Sequence, residues 1–153
     1  NTGTDSGNRR DLSGSGSTYF GDSRDFTGKS MTTILRSGID LIEIERIEKL
    51  KPEIKARFLQ RVYTAAELDL CGDRDERLAG RFAGKEAVSK ALGTGIGTVH
   101  WQEIEILTDD QQMPILYLHG NAAALAKSLG LSIWSVSISH VKTYAMAIAI
   151  ASD

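Results

Sequence analysis

The sequence predicts an α+β fold, a mostly antiparallel sheet packed against one long central helix. Three observations carry that reading. From Asp75 to Leu92 the chain reads DERLAGRFAGKEAVSKAL, with Leu78, Phe82, Glu86 and Lys90 spaced so that they share one helix face. Trp101–Leu107, Ile133–His140 and Tyr144–Ala151 alternate at the period of strands. With 153 residues the chain can build one substantial core but not two comfortable ones.

The elements run in this order along the chain. Residues 1–30 are rich in Gly, Ser, Thr, Asp and Arg and nearly free of aliphatic side chains, so they are expected to be a flexible extension of artificial origin. Met31 is then the expected natural start and 31–153 the folded domain. Ile34 to Leu41 reads as a first strand ending near Asp40, and Leu41, Ile44, Ile47 and Leu50 recur at helical spacing directly after it. Pro52 either ends that helix or opens a second one from Glu53 to Gln60. Thr64 and Glu67 form the sequence signature of a capping box. The long helix runs to Leu92 with Gly93 as its left-handed cap, and Gly93–Gly97 is a glycine-rich loop. Trp101–Leu107 and Pro114–His119 pair as a hairpin around a polar turn at Thr108–Met113. Asn121 can cap a short alanine-rich helix that ends at Gly130. Trp134, Val136, Ile138 and His140 share a face of the next strand, and Tyr144, Met146, Ile148 and Ile150 share a face of the last.

Composition narrows the function. Apolar residues make up 41% and charged residues 25%, and the net charge of −2 argues against a general nucleic-acid binder, so any anion site must be local. A lone cysteine, Cys71, forbids an internal disulfide and fits a reducing, cytoplasmic setting. No apolar run approaches a membrane span. His100, His119 and His140 are far apart and lack zinc-like spacing.

Five constellations could carry chemistry, and each has a plain structural alternative. Asp40, preceded by Gly38, sits at a strand end where ligands bind, or else caps the following helix. Glu86 lies on the face that should be core, where a carboxylate wants a partner or a metal, although Glu86 and Lys90 could be a surface pair. Glycines in Gly93–Gly97 let backbone N–H groups approach phosphate oxygens, but the loop follows a helix and is no P-loop. His140 at a strand end is a catalyst or a satisfied core histidine. The stretch from Arg46 to Arg61, with Lys49, Lys51, Lys55 and Arg57, is a dock for an acidic partner or a solvated helix face.

The order and spacing of three blocks are more specific than any of them alone. GIDLIEIERI, then GRFAGKEAVSKALGTGIG, then SISH resembles the holo-acyl-carrier-protein synthases among the 4′-phosphopantetheinyl transferases, over about Ile34 to Asp153. The family pattern Phe-x-x-Lys-Glu-Ala-x-x-Lys-Ala is matched from Phe82 to Ala91. Where the family usually has a Gly-x-Pro turn, this chain reads Gln112-Met113-Pro114.

That resemblance implies a phosphopantetheinyl transferase-like fold. It also implies transfer of 4′-phosphopantetheine from coenzyme A to a serine of apo-acyl carrier protein, in fatty acid biosynthesis. Asp40 and Glu86 match the family's magnesium ligands. Asp40, Glu86, Lys90 and His140 would carry catalysis. Lys85, Lys90, Gly93, Gly95, Gly97 and His140 would line the coenzyme, with His140 supplied by a neighbouring subunit of a trimer. Arg46 would bind the carrier protein. A non-catalytic coenzyme A or nucleotide module does not need both carboxylates, and a metal-dependent pyrophosphohydrolase would want more acidic ligands.

Overall fold

A computed structural model describes residues 16–24 and 30–153. The expectations for residues 1–15 and 25–29 therefore lie outside the described residues. Gly16–Arg24, expected in the flexible extension, forms strand β1, which pairs antiparallel with β2 (Ser30–Glu43) from Gly16 opposite Gly38 to Arg24 opposite Ser30. After β2 come the short helices α1 (Glu45–Glu48), α2 (Pro52–Val62) and α3 (Ala65–Cys71), and then the long helix α4 (Asp75–Leu92). A 3₁₀ turn at Trp101–Glu103 leads into the hairpin β3 (Ile104–Thr108) and β4 (Pro114–Leu118). Helix α5 (Gly120–Ser128) and strands β5 (Ile133–His140) and β6 (Tyr144–Ser152) complete the chain. The main sheet has the order β1-β2-β6-β5, all antiparallel, and β3–β4 is a separate ladder.

Strand periodicity explains how the sheet sits on α4. Ala145, Ala147, Ala149 and Ala151 of β6 are buried, while Tyr144, Met146, Ile148 and Ile150 alternate onto the opposite, exposed face. The alanines leave room for α4. Gly38 on β2 goes further: a Cβ there would overlap the Ala87 carbonyl oxygen and crowd Ala91 N and Lys90 Cβ, so only glycine lets helix and strand touch backbone to backbone. Gly84 of the same helix instead meets side chains, those of Ile106 and Ile138. Leu78, Ala83, Ala87, Val88, Ala91 and Leu92 of α4 are buried in a core shared with Ile42, Ile47, Val99, Ile104, Ile106 and Val136.

Several boundaries differ from the sequence reading. The first strand continues to Glu43, and α1 is only one turn long, so Asp40 stands inside a strand and caps nothing. Ladder pairing with β6 explains this: Asp40 lies opposite Ala147 and Leu41 opposite Met146, which puts Leu41 on the exposed outer face rather than a helix face. Pro52 occupies the first turn of α2, where its missing N–H costs nothing. The capping box at Thr64 forms as expected: Thr64 Oγ1 accepts from Glu67 N, and Glu67 Oε2 accepts from Thr64 N at 2.9 Å. The start of α5 is held differently. Glu103 Oε1 accepts the Asn121 N–H at 2.9 Å, so a carboxylate from the 3₁₀ turn before the β3–β4 hairpin performs the capping expected of Asn121.

Candidate active site

The close approach at Gly38 sets the surroundings of Asp40, two residues further along β2. Asp40 points to the same face of β2 as Gly38 and Ile42, toward α4. There it meets Lys90, whose Nζ donates to Asp40 Oδ1 at 2.9 Å and to the Ile39 carbonyl at 2.8 Å. One helical turn earlier, Glu86 shares the helix face with Lys90. Burial raises the Glu86 carboxyl above its ordinary range, the negative charge of Asp40 raises it further, and Lys90 partly opposes both. The two carboxylates are thus near enough for Glu86 to feel the charge of Asp40, while Lys90 bonds to Asp40. The alternative of a plain Glu86–Lys90 surface pair is not what forms, because Lys90 is spent on Asp40.

Such an arrangement suits a hard cation. Glu86 accepts no side-chain hydrogen bond among the described residues, and Asp40 keeps Oδ2 free of one. Both groups offer oxygen, the donor magnesium prefers, and magnesium usually takes one or two carboxylates and completes its shell with water and substrate phosphate. No cluster of three or more His, Cys, Asp or Glu side chains occurs among the described residues. The site thus fits one metal completed by substrate, and not the many-ligand arrangement a two-metal hydrolase needs.

Beyond Lys90 the helix ends at Gly93, in the left-handed conformation with φ 82°, and its N–H returns to the carbonyls of Ser89 and Lys90. Gly95 (φ 67°) and Gly97 (φ 138°) also need glycine, and a Cβ at either would meet nothing within 4 Å. The loop is open on that side. By the helical rise, Gly93 lies about 10 Å along α4 from Glu86.

Lys85, expected along the coenzyme, lies in the core. It is fully buried, paired with Glu67 at 2.7 Å, and donates to the carbonyls of Trp101 (3.0 Å) and Ile104. Burial lowers its ammonium pKa, and Glu67 opposes that shift. A side chain one residue from Glu86 points about 100° away around a helix, which turns Lys85 from the coenzyme side into the core. It ties α4 to α3 and β3.

His140 stands apart as well. It is exposed at the end of β5 and lines a cleft with Arg77, Gly80, Arg81, Thr108 and Pro114. That cleft lies along the first half of α4, and its helix residues Arg77 to Arg81 are about 8–14 Å by helical rise from Glu86. Glu76, at the same end, is held below the usual carboxylate range by its own backbone N–H and by Arg74, with a smaller contribution from His140. Arg77 and Arg81 escaped the sequence reading, although their spacing on α4 already put them on one face. Their hydrogen bonds run to the Leu70 carbonyl from Arg77 and to the Ile106 carbonyl from Arg81.

Arg46 is exposed on α1. Lys49 pairs with Glu45, and Lys55 with Asp75 at 2.6 Å. Arg46, Lys51, Arg57 and Arg61 are exposed and make no ion pair among the described residues, which leaves a local positive surface on α1 and α2.

An α+β domain that gathers Asp40, Glu86 and Lys90 at a strand–helix seam is matched by known transferases. Residues 36–149 match the family model described as the 4′-phosphopantetheinyl transferase superfamily, and the chain belongs to that family. It is similar to a holo-[acyl-carrier-protein] synthase of Natranaerobius thermophilus, 45% identical over 120 residues, covering 76% of this chain and 96% of the relative. It is also similar to that of Moorella thermoacetica, 46% identical over 122 residues, with 76% and 93% covered. Among solved structures it resembles a Helicobacter pylori holo-[acyl-carrier-protein] synthase in complex with coenzyme A, with a TM-score of 0.69 and 35% identity over 75% of this chain and 98% of that one. A Bacillus anthracis synthase in complex with coenzyme A (3′,5′-ADP) gives a TM-score of 0.62 and 38% identity, with 76% and 95% covered.

Proposed function

We propose that this protein transfers 4′-phosphopantetheine from coenzyme A to a serine of apo-acyl carrier protein, giving holo-carrier protein and adenosine 3′,5′-bisphosphate, in the service of fatty acid biosynthesis. The observation that carries the reading is the Asp40–Glu86–Lys90 cluster at the β2–α4 seam. The serine oxygen forms a bond to the β-phosphorus of coenzyme A, and the bond from that phosphorus to the oxygen bridging it to the α-phosphorus breaks. Asp40 and Glu86 would hold a magnesium ion, which supplies positive charge at the pyrophosphate when bound. Lys90, already oriented by Asp40 and the Ile39 carbonyl, neutralises the charge that collects on the leaving phosphate. Gly93, Gly95 and Gly97 let the coenzyme lie against the backbone of the loop. Glu86, with its raised pKa, is one candidate to accept the serine proton, and a substrate phosphate oxygen is another.

The remaining features support the partners. The cationic surface led by Arg46 suits an acidic recognition segment of a carrier protein. Ile39, Leu41, Tyr144, Met146, Ile148 and Ile150 leave the outer sheet face apolar and exposed, which suits burial against further copies of the chain in a trimer. In such a trimer the His140 cleft of one copy would complete the Asp40–Glu86 site of the next and take the nucleotide end of the coenzyme. The lone, buried Cys71 suits a cytoplasmic location, and no helix among the described residues is long and apolar enough to cross a membrane.

The test is the intact mass of an apo-acyl carrier protein after incubation with this protein, coenzyme A and magnesium. A gain of about 340 Da on one serine, lost on chelation, is the expected result. Measurable coenzyme A binding without any mass gain across several carrier proteins would overturn the reading.

A further inference from the structure

The seam between β2 and α4 is tied at three levels. Gly38 touches Ala87 and Ala91, Asp40 takes Lys90, and Arg36 reaches the end of the helix. Arg36 Nη1 donates to the Leu92 carbonyl at 2.9 Å. Its guanidinium lies against Gly93, 3.4 Å from the point where a Cβ would stand. The final turn of a helix leaves carbonyls without intrahelical partners. Here the N–H groups of Gly93 and Thr94 return to Ser89 and Lys90, and Arg36 supplies the donor for Leu92. A cation at this end also complements the helix dipole.

We propose that Arg36 is a positioning residue for coenzyme binding. It touches neither carboxylate of the site. It fixes the point at which the Gly93–Gly97 loop leaves α4, and it holds the last turn, which carries Lys90. Without it the Leu92 carbonyl turns to water, the last turn frays, and the open, glycine-rich loop loses its fixed root. The consequence falls on whatever lies along the loop. This role rests on the proposed function, in which the loop lies along the coenzyme.

The experiment uses the full chain with Arg36→Ala and Arg36→Lys. Kinetics are measured against coenzyme A and carrier protein separately, and amide hydrogen exchange at residues 93–97 is measured without substrate. Arg36→Ala is expected to raise KM for coenzyme A about tenfold, the loss fitting one charge-assisted hydrogen bond, with KM for the carrier within about twofold. Exchange at residues 93–97 should quicken in the same variant. Arg36→Lys should recover most of both effects, since lysine can also donate to Leu92. Unchanged exchange in Arg36→Ala, or equal rises in both KM values with no recovery in Arg36→Lys, would overturn the proposal. A wild-type chain that transfers nothing would instead sink the functional reading, while the exchange measurement would still report on Arg36.

Discussion

At the scale of single residues, the site is defined by competition for charge. Asp40 and Glu86 repel, and Lys90 satisfies only one of them. Replacing Asp40 or Glu86 by the neutral amide should lower kcat by about 100-fold or more, as for other preorganised electrostatic groups, with the fold retained in circular dichroism. Stability should move the other way. A carboxyl whose folded pKa is raised favours folding at low pH, and that contribution is lost as pH rises through the folded value. Glu86→Gln should therefore be at least as stable as wild type at neutral pH in chelator, measured by urea denaturation, because it removes a half-buried charge beside Asp40. The carboxyl resonance of Glu86 should titrate above the normal range of about 4.3 in wild type and fall in Asp40→Asn. No fall in that variant would mean the two groups do not interact. The sequence reading identified this pair by the order of its motifs. It could not tell Lys85 from Lys90, because a lysine turned into the core and one turned to the site are the same letter. Only the position of Glu67, eighteen residues earlier, separates them.

Elements set where those residues stand. Helix α4 presses on β2 because Gly38 and the alanines of β6 offer no side chains to hold it away. Gly38→Ala should cost about 1–3 kcal/mol in stability from overpacking, and it should reduce transfer by more than that loss of folded protein explains, since the seam carries Asp40 and Lys90. On the far side of α4, the Lys85–Glu67 pair is fully buried and bridges to the Ile106 N–H through Glu67 Oε1. Removing one partner strands the other, so Lys85→Met should cost about 3–5 kcal/mol in denaturant titration, with coenzyme A affinity preserved in whatever remains folded. The long helix and the final strands were legible from periodicity alone. The end of β2 was not: its helix-like spacing of Leu41, Ile44 and Ile47 arises because Leu41 belongs to the outer face of a strand and the other two to the core, an accident of register that ladder pairing settles.

Across the whole molecule, charge and apolar surface are segregated. The basic surface of α1 and α2 predicts that Arg46→Ala raises KM for carrier protein several-fold with little change for coenzyme A, and that the difference shrinks as salt screens the contact. Equal changes for both substrates would remove Arg46 from the docking surface. If the outer sheet face is buried in the proposed trimer, Ile148→Glu should give monomers in sedimentation where wild type gives trimers, since a charge there would be buried against another copy. Alternation in the sequence already put Tyr144, Met146, Ile148 and Ile150 on one face of the last strand, but Ile39 and Leu41 join them only once β2 is laid beside β6.

The separation of the His140 cleft from Glu86 along α4 has a genetic consequence. If each working site draws one half from each of two copies, a chain with a ruined Asp40 still carries a sound His140 cleft, and the reverse holds for a chain with a ruined His140. Two variants that are each poor alone, Asp40→Asn and His140→Ala, should complement when refolded together, with about a quarter of the sites in a randomly mixed ring assembled from the two intact halves. Co-expressed alleles would rescue growth where neither suffices.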